Sequence, residues 1–267
     1  MHHRLILLNH IPRTGGTTLR IILNRVYGEE RIFFIRSKSI ASSLEKFSTM
    51  NEEERARFRV ITGHGALLFE HLVKAPFRIT VLREPVSLFI SQYHYLKSSP
   101  NSNFLAEVSS LNSLEDYISF ALENGQDNML TRFLSGNQEW LISNAPAPDM
   151  AKQGSKMLEA AKAELERYDT VIDLADFDRG VYALSEKLGW KRIPVFRAGN
   201  KGISPASERV ISSSTRNKLE VLLQYDIALY DYFKASRTSI SNGFNQRGLK
   251  TFLLRQKLIE ILARYVR

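Results

Sequence analysis

Hydrophobic and polar positions follow two rhythms along this chain. Short, continuous apolar runs at 5–9, 31–35, 60–63, 78–83 and 170–174 are rich in β-branched and aromatic residues. They lack the alternation of a half-exposed strand, which predicts strands buried on both faces, as in a parallel sheet. Between them, apolar residues recur every three to four positions, the spacing of one helix face. Leu19, Ile22, Leu23 and Val26 mark one helix; Val86, Phe89, Ile90 and Tyr93 mark another, with Pro85 at the favoured first position. Further helical patterns cover 113–124, 128–134, 151–168, 176–188, 214–235 and 246–267. Stretches 98–111, 136–149 and 197–207 carry the Pro, Ser, Asn and Gly content of loops. Strands alternating with helices predict an α/β fold with a central, mainly parallel sheet flanked by helices. The pattern divides into one domain over 1–240 and a basic amphipathic helix over 241–267, packed on it or extending from it.

Candidate chemistry begins in the first turn. "NHIPRTGGTT" (9–18) sits between the first strand and the first helix. Gly15 and Gly16 allow close backbone approach, and the first N–H groups of the helix point outward with a positive dipole behind them. Thr14, Thr17 and Thr18 add hydroxyls, and Arg13 adds a forked cation. A phosphate satisfies all of these groups, whereas a simple tight turn requires neither the arginine nor the threonines. Two familiar phosphate loops do not fit: no lysine follows the glycines, and the glycines are adjacent rather than spaced.

A second candidate lies in "ITVLREPVSLFISQYHYL" (79–96), with Arg83 at the carboxyl end of a strand and Ser91 eight residues on, along a helix. Ser87, Ser91 and His94 or Tyr95 share a helix face distinct from the apolar one. Ligands of open α/β sheets bind beyond the carboxyl ends of strands, so both motifs fall at one edge. Two grips suit a ligand with phosphate at both ends. The formal charge of +9 and pI of about 9.7 agree with an anionic partner, whether nucleotide, acidic glycan, nucleic acid or membrane surface. The 267 residues include no cysteine, which excludes disulfides, thiolate metal sites and cysteine nucleophiles. The carboxylates and six histidines show no metal-ligand spacing, so no metal is expected. No apolar run approaches ~20 residues, and the first strand begins too near Met1 for a signal peptide, which predicts a cytoplasmic protein.

"IPRTGGTT" resembles the 5′-phosphosulfate loop of sulfotransferases that use PAPS (3′-phosphoadenosine 5′-phosphosulfate), and "LREPVSLFISQYHYL" resembles their 3′-phosphate motif. "TGHGALLF" (62–69), "DNMLTRFLSG" (127–136) and "DTVIDLADFDRGVYAL" (169–184) are similar to segments of the branch containing heparan sulfate and uronyl 2-O-sulfotransferases and their bacterial relatives. The resemblance implies a P-loop-like α/β domain that moves a sulfuryl group from PAPS to an acceptor hydroxyl, a saccharide in that branch, releasing PAP. It implies that Arg13, Thr14, Gly15, Gly16, Thr17 and Thr18 hold the 5′-phosphosulfate, and Arg83 and Ser91 the 3′-phosphate. The family loop carries lysine where this chain has Arg13; charge is kept, but a planar fork replaces a rotatable ammonium.

Sulfuryl transfer, like phosphoryl transfer, rests on positioning and on cations facing the leaving oxygen, a role that suits Arg13. His64, between Gly63 and Gly65 at a strand's carboxyl end, is the candidate base for the acceptor hydroxyl, since imidazole titrates near neutrality. The alternative for His64 is a hydrogen bond that shapes its turn. His10 is expected to prop the loop backbone, and His94 to line the site or meet solvent. Arg132 is expected on nucleotide or acceptor, or else in a salt bridge on an exposed helix face. Asn200 and Lys201, in a basic loop, are assigned to the 3′-phosphate end through the same resemblance, with a solvated surface loop as the alternative. The 246–267 helix is expected to pack Phe252, Leu254, Leu258 and Leu262 on the core, with peripheral membrane contact or a partner helix as the alternatives. Two other functions remain open to the sequence: a nucleotide kinase-like phosphotransferase, and a non-catalytic nucleotide- or polyanion-binding module. No nucleic acid partner is expected, and the oligomeric state is not encoded legibly.

Overall fold

The computed structural model describes residues 4–99, 104–136, 138–143, 146–196, 211–237 and 245–265. The five apolar runs become β1 (Ile6–Asn9), β2 (Ile32–Ile35), β3 (Val60–Gly63), β4 (Phe77–Leu82) and β5 (Thr170–Asp173). Each lies within a residue or two of its expected bounds. They form one sheet in the order β2-β3-β1-β4-β5, parallel at every pairing. β1 is central, and its last residue, Asn9, is in register with Gly63 of β3 and Thr80 of β4. The ends of β2, β3 and β1 (Ile35, Gly63 and Asn9) therefore lie side by side at the carboxyl edge, and β4 runs two residues further, to Leu82.

The continuous apolar character of the strands is explained by cover on both faces. Ile6, Leu8, Val60, Ile79, Val81 and Ile172 point to one side, against Leu19, Ile22 and Leu23 of α1 (Gly16–Tyr27). Leu7 and Ile61 point to the other, toward Phe33, Phe47 and Phe69. α2 (Ile40–Thr49) and α3 (Glu52–Ala56) lie between β2 and β3, the latter begun by a capping box of Asn51 and Glu54. α4 (Pro85–Ser98) follows β4, and the Glu84 carboxylate caps it by accepting from the N–H groups of Val86 and Ser87. α5 (Leu105–Ser109) falls within a stretch expected to be loop; Val108 is fully buried there and anchors it. α6 (Leu114–Glu123), α7 (Met129–Leu134), α8 (Met150–Glu166) and α9 (Phe177–Leu188) match the expected helices closely.

The expected helix over 214–235 is two helices, α10 (Ser213–Leu222) and α11 (Gln224–Arg237). The break is held open from outside. Asn128, in the left-handed conformation just before α7, donates to the Leu222 carbonyl and accepts from the N–H groups of Tyr225 and Asp226. Asp226 returns the contact, accepting from the N–H groups of Leu130 (2.9 Å) and Thr131 (2.7 Å) at the start of α7. Each helix thus caps the other. Burial pushes the Asp226 carboxyl up to about 6, against the pull of those hydrogen bonds.

α12 (Gln246–Tyr265) corrects another expectation. Leu249 and Phe252 join the core beside Val181, Tyr182 and Leu184 of α9, as expected for Phe252. Leu254 and Leu258 do not: they are 55% and 59% exposed, because they lie on the opposite side of the helix from Phe252. The side chain of Leu262 lies outside the described part. No helix among the described residues is long and apolar enough to cross a membrane.

Candidate active site

The loop after β1 turns sharply before α1 begins. Gly15 has φ of 94°, and Arg13 is also left-handed at φ 61°, a conformation unfavourable for a residue with a side chain. An added Cβ on Gly15 would fall 2.7 Å from Leu174, and one on Gly16 would fall 2.0 Å from the His10 ring. Gly15 is therefore required by the turn and Gly16 by the space the His10 ring takes. The Thr14 hydroxyl is buried and donates to the Ile11 carbonyl at 2.9 Å, which holds the turn closed. Thr17 and Thr18 stand on the first turn of α1, Thr18 buried and Thr17 half-buried. That turn has no side-chain cap and no acidic residue, so its N–H groups and dipole face outward uncompensated by either.

Arg13 reaches from this loop across to α4. Its Nε donates to Ser91 Oγ at 3.3 Å, and its guanidinium lies over the Tyr95 ring, 4.8 Å from the centroid. Arg83 Nη1 donates to the Arg13 carbonyl at 3.2 Å. The two motifs, about seventy residues apart in sequence, thus occupy one place. Arg13 forms no ion pair with a carboxylate among the described residues; burial, then the charge of Arg83, lowers its pKa. Arg13 and Arg83 thus bring two guanidinium charges to one place at the carboxyl edge of the sheet. The Arg13–Ser91 bond differs from the expected division of labour, in which these residues grip opposite ends of a donor.

His64 joins the site from β3. Its Nδ1 lies 2.6 Å from the His10 carbonyl, and the two imidazoles are tilted by 36° with centroids 4.8 Å apart. Donation to a carbonyl fixes the proton on Nδ1 and leaves Nε2 with a lone pair. Burial lowers the His64 pKa, the hydrogen bond opposing it only in part. His10 is held well below the ordinary imidazole value by burial, then by the charges of His64, Arg20 and Arg13. Both rings are therefore neutral at pH 7.

The structure does not bring every expected residue to this edge. Arg132 is buried in α7, donating from Nε to the Asp127 carbonyl at 2.7 Å and pairing through Nη2 with the Asp127 carboxylate at 2.6 Å. Its Nη1 donates to the Pro148 carbonyl. Neither a ligand contact nor an exposed salt bridge describes it: the guanidinium ties α7 to the segment before α8. His94 lies one turn beyond Ser91, half-buried with its ring against Tyr93 at 5.0 Å, and burial followed by Lys97 lowers its pKa. Asn200 and Lys201 lie outside the described residues. Sequence reasoning underrated two participants, Tyr95 and His10. Tyr95 was signalled by its place one turn past Ser91. The pairing of His10 with His64 follows from strand register, since each residue comes directly after the partnered Asn9 and Gly63.

Fold and site together define an α/β protein in which a glycine-rich turn, two arginines and a histidine pair meet at the carboxyl edge of a parallel sheet. The model of the sulfotransferase family matches residues 2–233, and the chain belongs to that family. Among solved structures, mouse sulfotransferase SULT7A1 complexed with PAP aligns over 94% of this chain and 89% of its own, at 14% identity and a TM-score of 0.41. No curated protein matches the chain in sequence.

Proposed function

We propose that this sulfotransferase moves the sulfuryl group of PAPS to a hydroxyl of an acceptor, with His64 as the general base. The observation that carries the reading is the joining of three sequence-distant parts: Arg83 on the Arg13 carbonyl, Arg13 on Ser91, and His64 on the His10 carbonyl. The residues fit a doubly anionic donor, because Arg13 and Arg83 lie beside the acid-free start of α1. PAPS, when bound, supplies the sulfuryl group and a phosphate leaving group. Arg13 and the backbone N–H groups of residues 14–18 would hold its 5′ end. Arg83 and Ser91 would hold the 3′-phosphate, with Asn200 and Lys201 assigned to the same end.

The chain's own contribution is then positional and electrostatic. His64 takes the acceptor proton at Nε2, its Nδ1–H remaining on the His10 carbonyl. Arg13 offsets negative charge on the leaving oxygen, and its stacking on Tyr95 restricts where the guanidinium can sit. The acceptor is taken to be a saccharide, on the similarity of the Gly-His and Asn-x-x-Thr-Arg segments to the 2-O-sulfotransferase branch. An acceptor screen with labelled PAPS, read as the mass gain of one sulfuryl group, tests this. Transfer to saccharides and not to other alcohols supports the reading; tight binding of ATP and PAP alike without transfer to any acceptor overturns it.

A further inference from the structure

α12 presents two apolar faces, only one of which joins the buried core among the described residues. Leu249 and Phe252 are buried against α9, while Leu254, Leu258 and Ile261, at 55%, 59% and 41% exposure, form a stripe on the outer side. At 3.6 residues per turn, exposed Arg247 and Thr251 lie on the same side nearer the start of the helix, where the face turns polar. Exposed Lys250 and Lys257 flank it on one side. On the other side the helix borders a cavity of about 470 Å³ lined by Lys191, Arg192, Arg247 and Arg255, with Tyr182 and Thr251. A second cavity of about 610 Å³ shares Lys191 and Arg192 and adds Arg25. No carboxylate is among the described residues lining either cavity.

We infer that this face docks on an anionic lipid surface, the Leu254–Leu258–Ile261 stripe entering the interface and the basic cavities taking lipid phosphates. The charge pattern selects this occupant. An apolar stripe between two cationic rows matches a surface whose apolar interior lies beneath anionic headgroups. A second copy packed on the same stripe would set Lys250 and Lys257 against like charges. A free polyanion would use the cavities but leave the leucines in water, and contiguous exposed apolar side chains mark a contact surface. The inference is independent of the proposed reaction, since none of these residues belongs to the site around Arg13 and His64.

The test is co-sedimentation of the full chain with vesicles of phosphatidylcholine alone and of phosphatidylcholine with phosphatidylserine, at ~0.1 and ~0.5 M salt. Two variants are measured beside it, Leu254→Glu with Leu258→Glu, and Lys191→Ala with Arg192→Ala. All four positions are exposed, and thermal unfolding checks that each variant folds. The expected result is selective, salt-sensitive binding to the serine-containing vesicles, lowered at least tenfold in each variant. Absence of selectivity overturns the inference. So does undiminished vesicle binding by the leucine variant with parallel binding of a soluble sulfated oligosaccharide, which would mark a polyanion groove. A concentration-dependent dimer in sedimentation, dissolved by the leucine variant, would assign the stripe to a second copy and overturn it equally.

Discussion

Replacing His64 by Ala removes an imidazole whose only described hydrogen bond runs from Nδ1 to a backbone carbonyl at 2.6 Å. A positioned general base contributes ~10²–10⁴ in rate, or about 3–5 kcal/mol of barrier. The variant is expected to lose that much in kcat. Its affinity for PAP is expected to stay unchanged, because the residues proposed to hold the donor are Arg13, Arg83 and the start of α1. His64→Asn separates base from scaffold, since its amide can still donate to the His10 carbonyl but cannot take a proton from the acceptor. The pH profile gives an independent measure. Burial lowers the His64 pKa, so the active neutral form persists below the usual imidazole range. kcat/KM is therefore expected to rise with pH through a value under ~6.5 and to be level at pH 7 and above. Loss of this acid limb in His64→Asn, with PAP affinity retained, is the outcome required. Retained turnover in both variants, or an unmoved acid limb in the residual activity, would falsify the base assignment.

Arg83→Ala is expected to weaken PAP by ~1.5–3 kcal/mol, the scale of a charge-assisted hydrogen bond, and its 3′-dephospho analogue little; equal losses in titration calorimetry would remove Arg83 from the 3′ end. Arg13→Lys restores the ammonium usual in the family loop and keeps the charge, so its kcat is expected within ~10-fold of the parent, while Arg13→Ala loses ~10²-fold or more. Equal rates in the two Arg13 variants would show that charge at this position is not used. Asp226 is buried, and its carboxyl is raised from 3.8 to about 6, so the native state holds this proton more tightly than the unfolded chain does. Its stabilising share is complete below ~4 and lost as pH rises through ~6, a change of about 3 kcal/mol. The lowered pKa values of His10 and His64 act oppositely, removing stability as pH falls below ~6.5. The pH-dependent difference between Asp226→Asn and the parent, read by denaturant unfolding, isolates the aspartate; a constant difference from pH 4 to 7 would contradict its raised pKa.

The strands were legible because burial on both faces leaves an unbroken apolar signature, and the site loop because its chemistry is local to ten residues. What escaped the sequence was decided by partners far along the chain. Nothing in the periodicity of 214–235 marks a break at Leu223, since apolar spacing continues through it; the cause is Asn128, about a hundred residues earlier, bonding both sides of the gap. Arg132 shows the same limit from the opposite side. The Thr-Arg pair carries a cation of the type expected to bind a phosphate, yet its neighbour Asp127 and the Pro148 carbonyl absorb that cation inside the fold. Arg13 is half-buried and finds no carboxylate among the described residues, meeting another arginine instead. Sequence supplies the two arginines as equals. Whether each is absorbed as an internal strut depends on whether the fold returns an acid to it, and of the two only Arg132 receives one among the described residues.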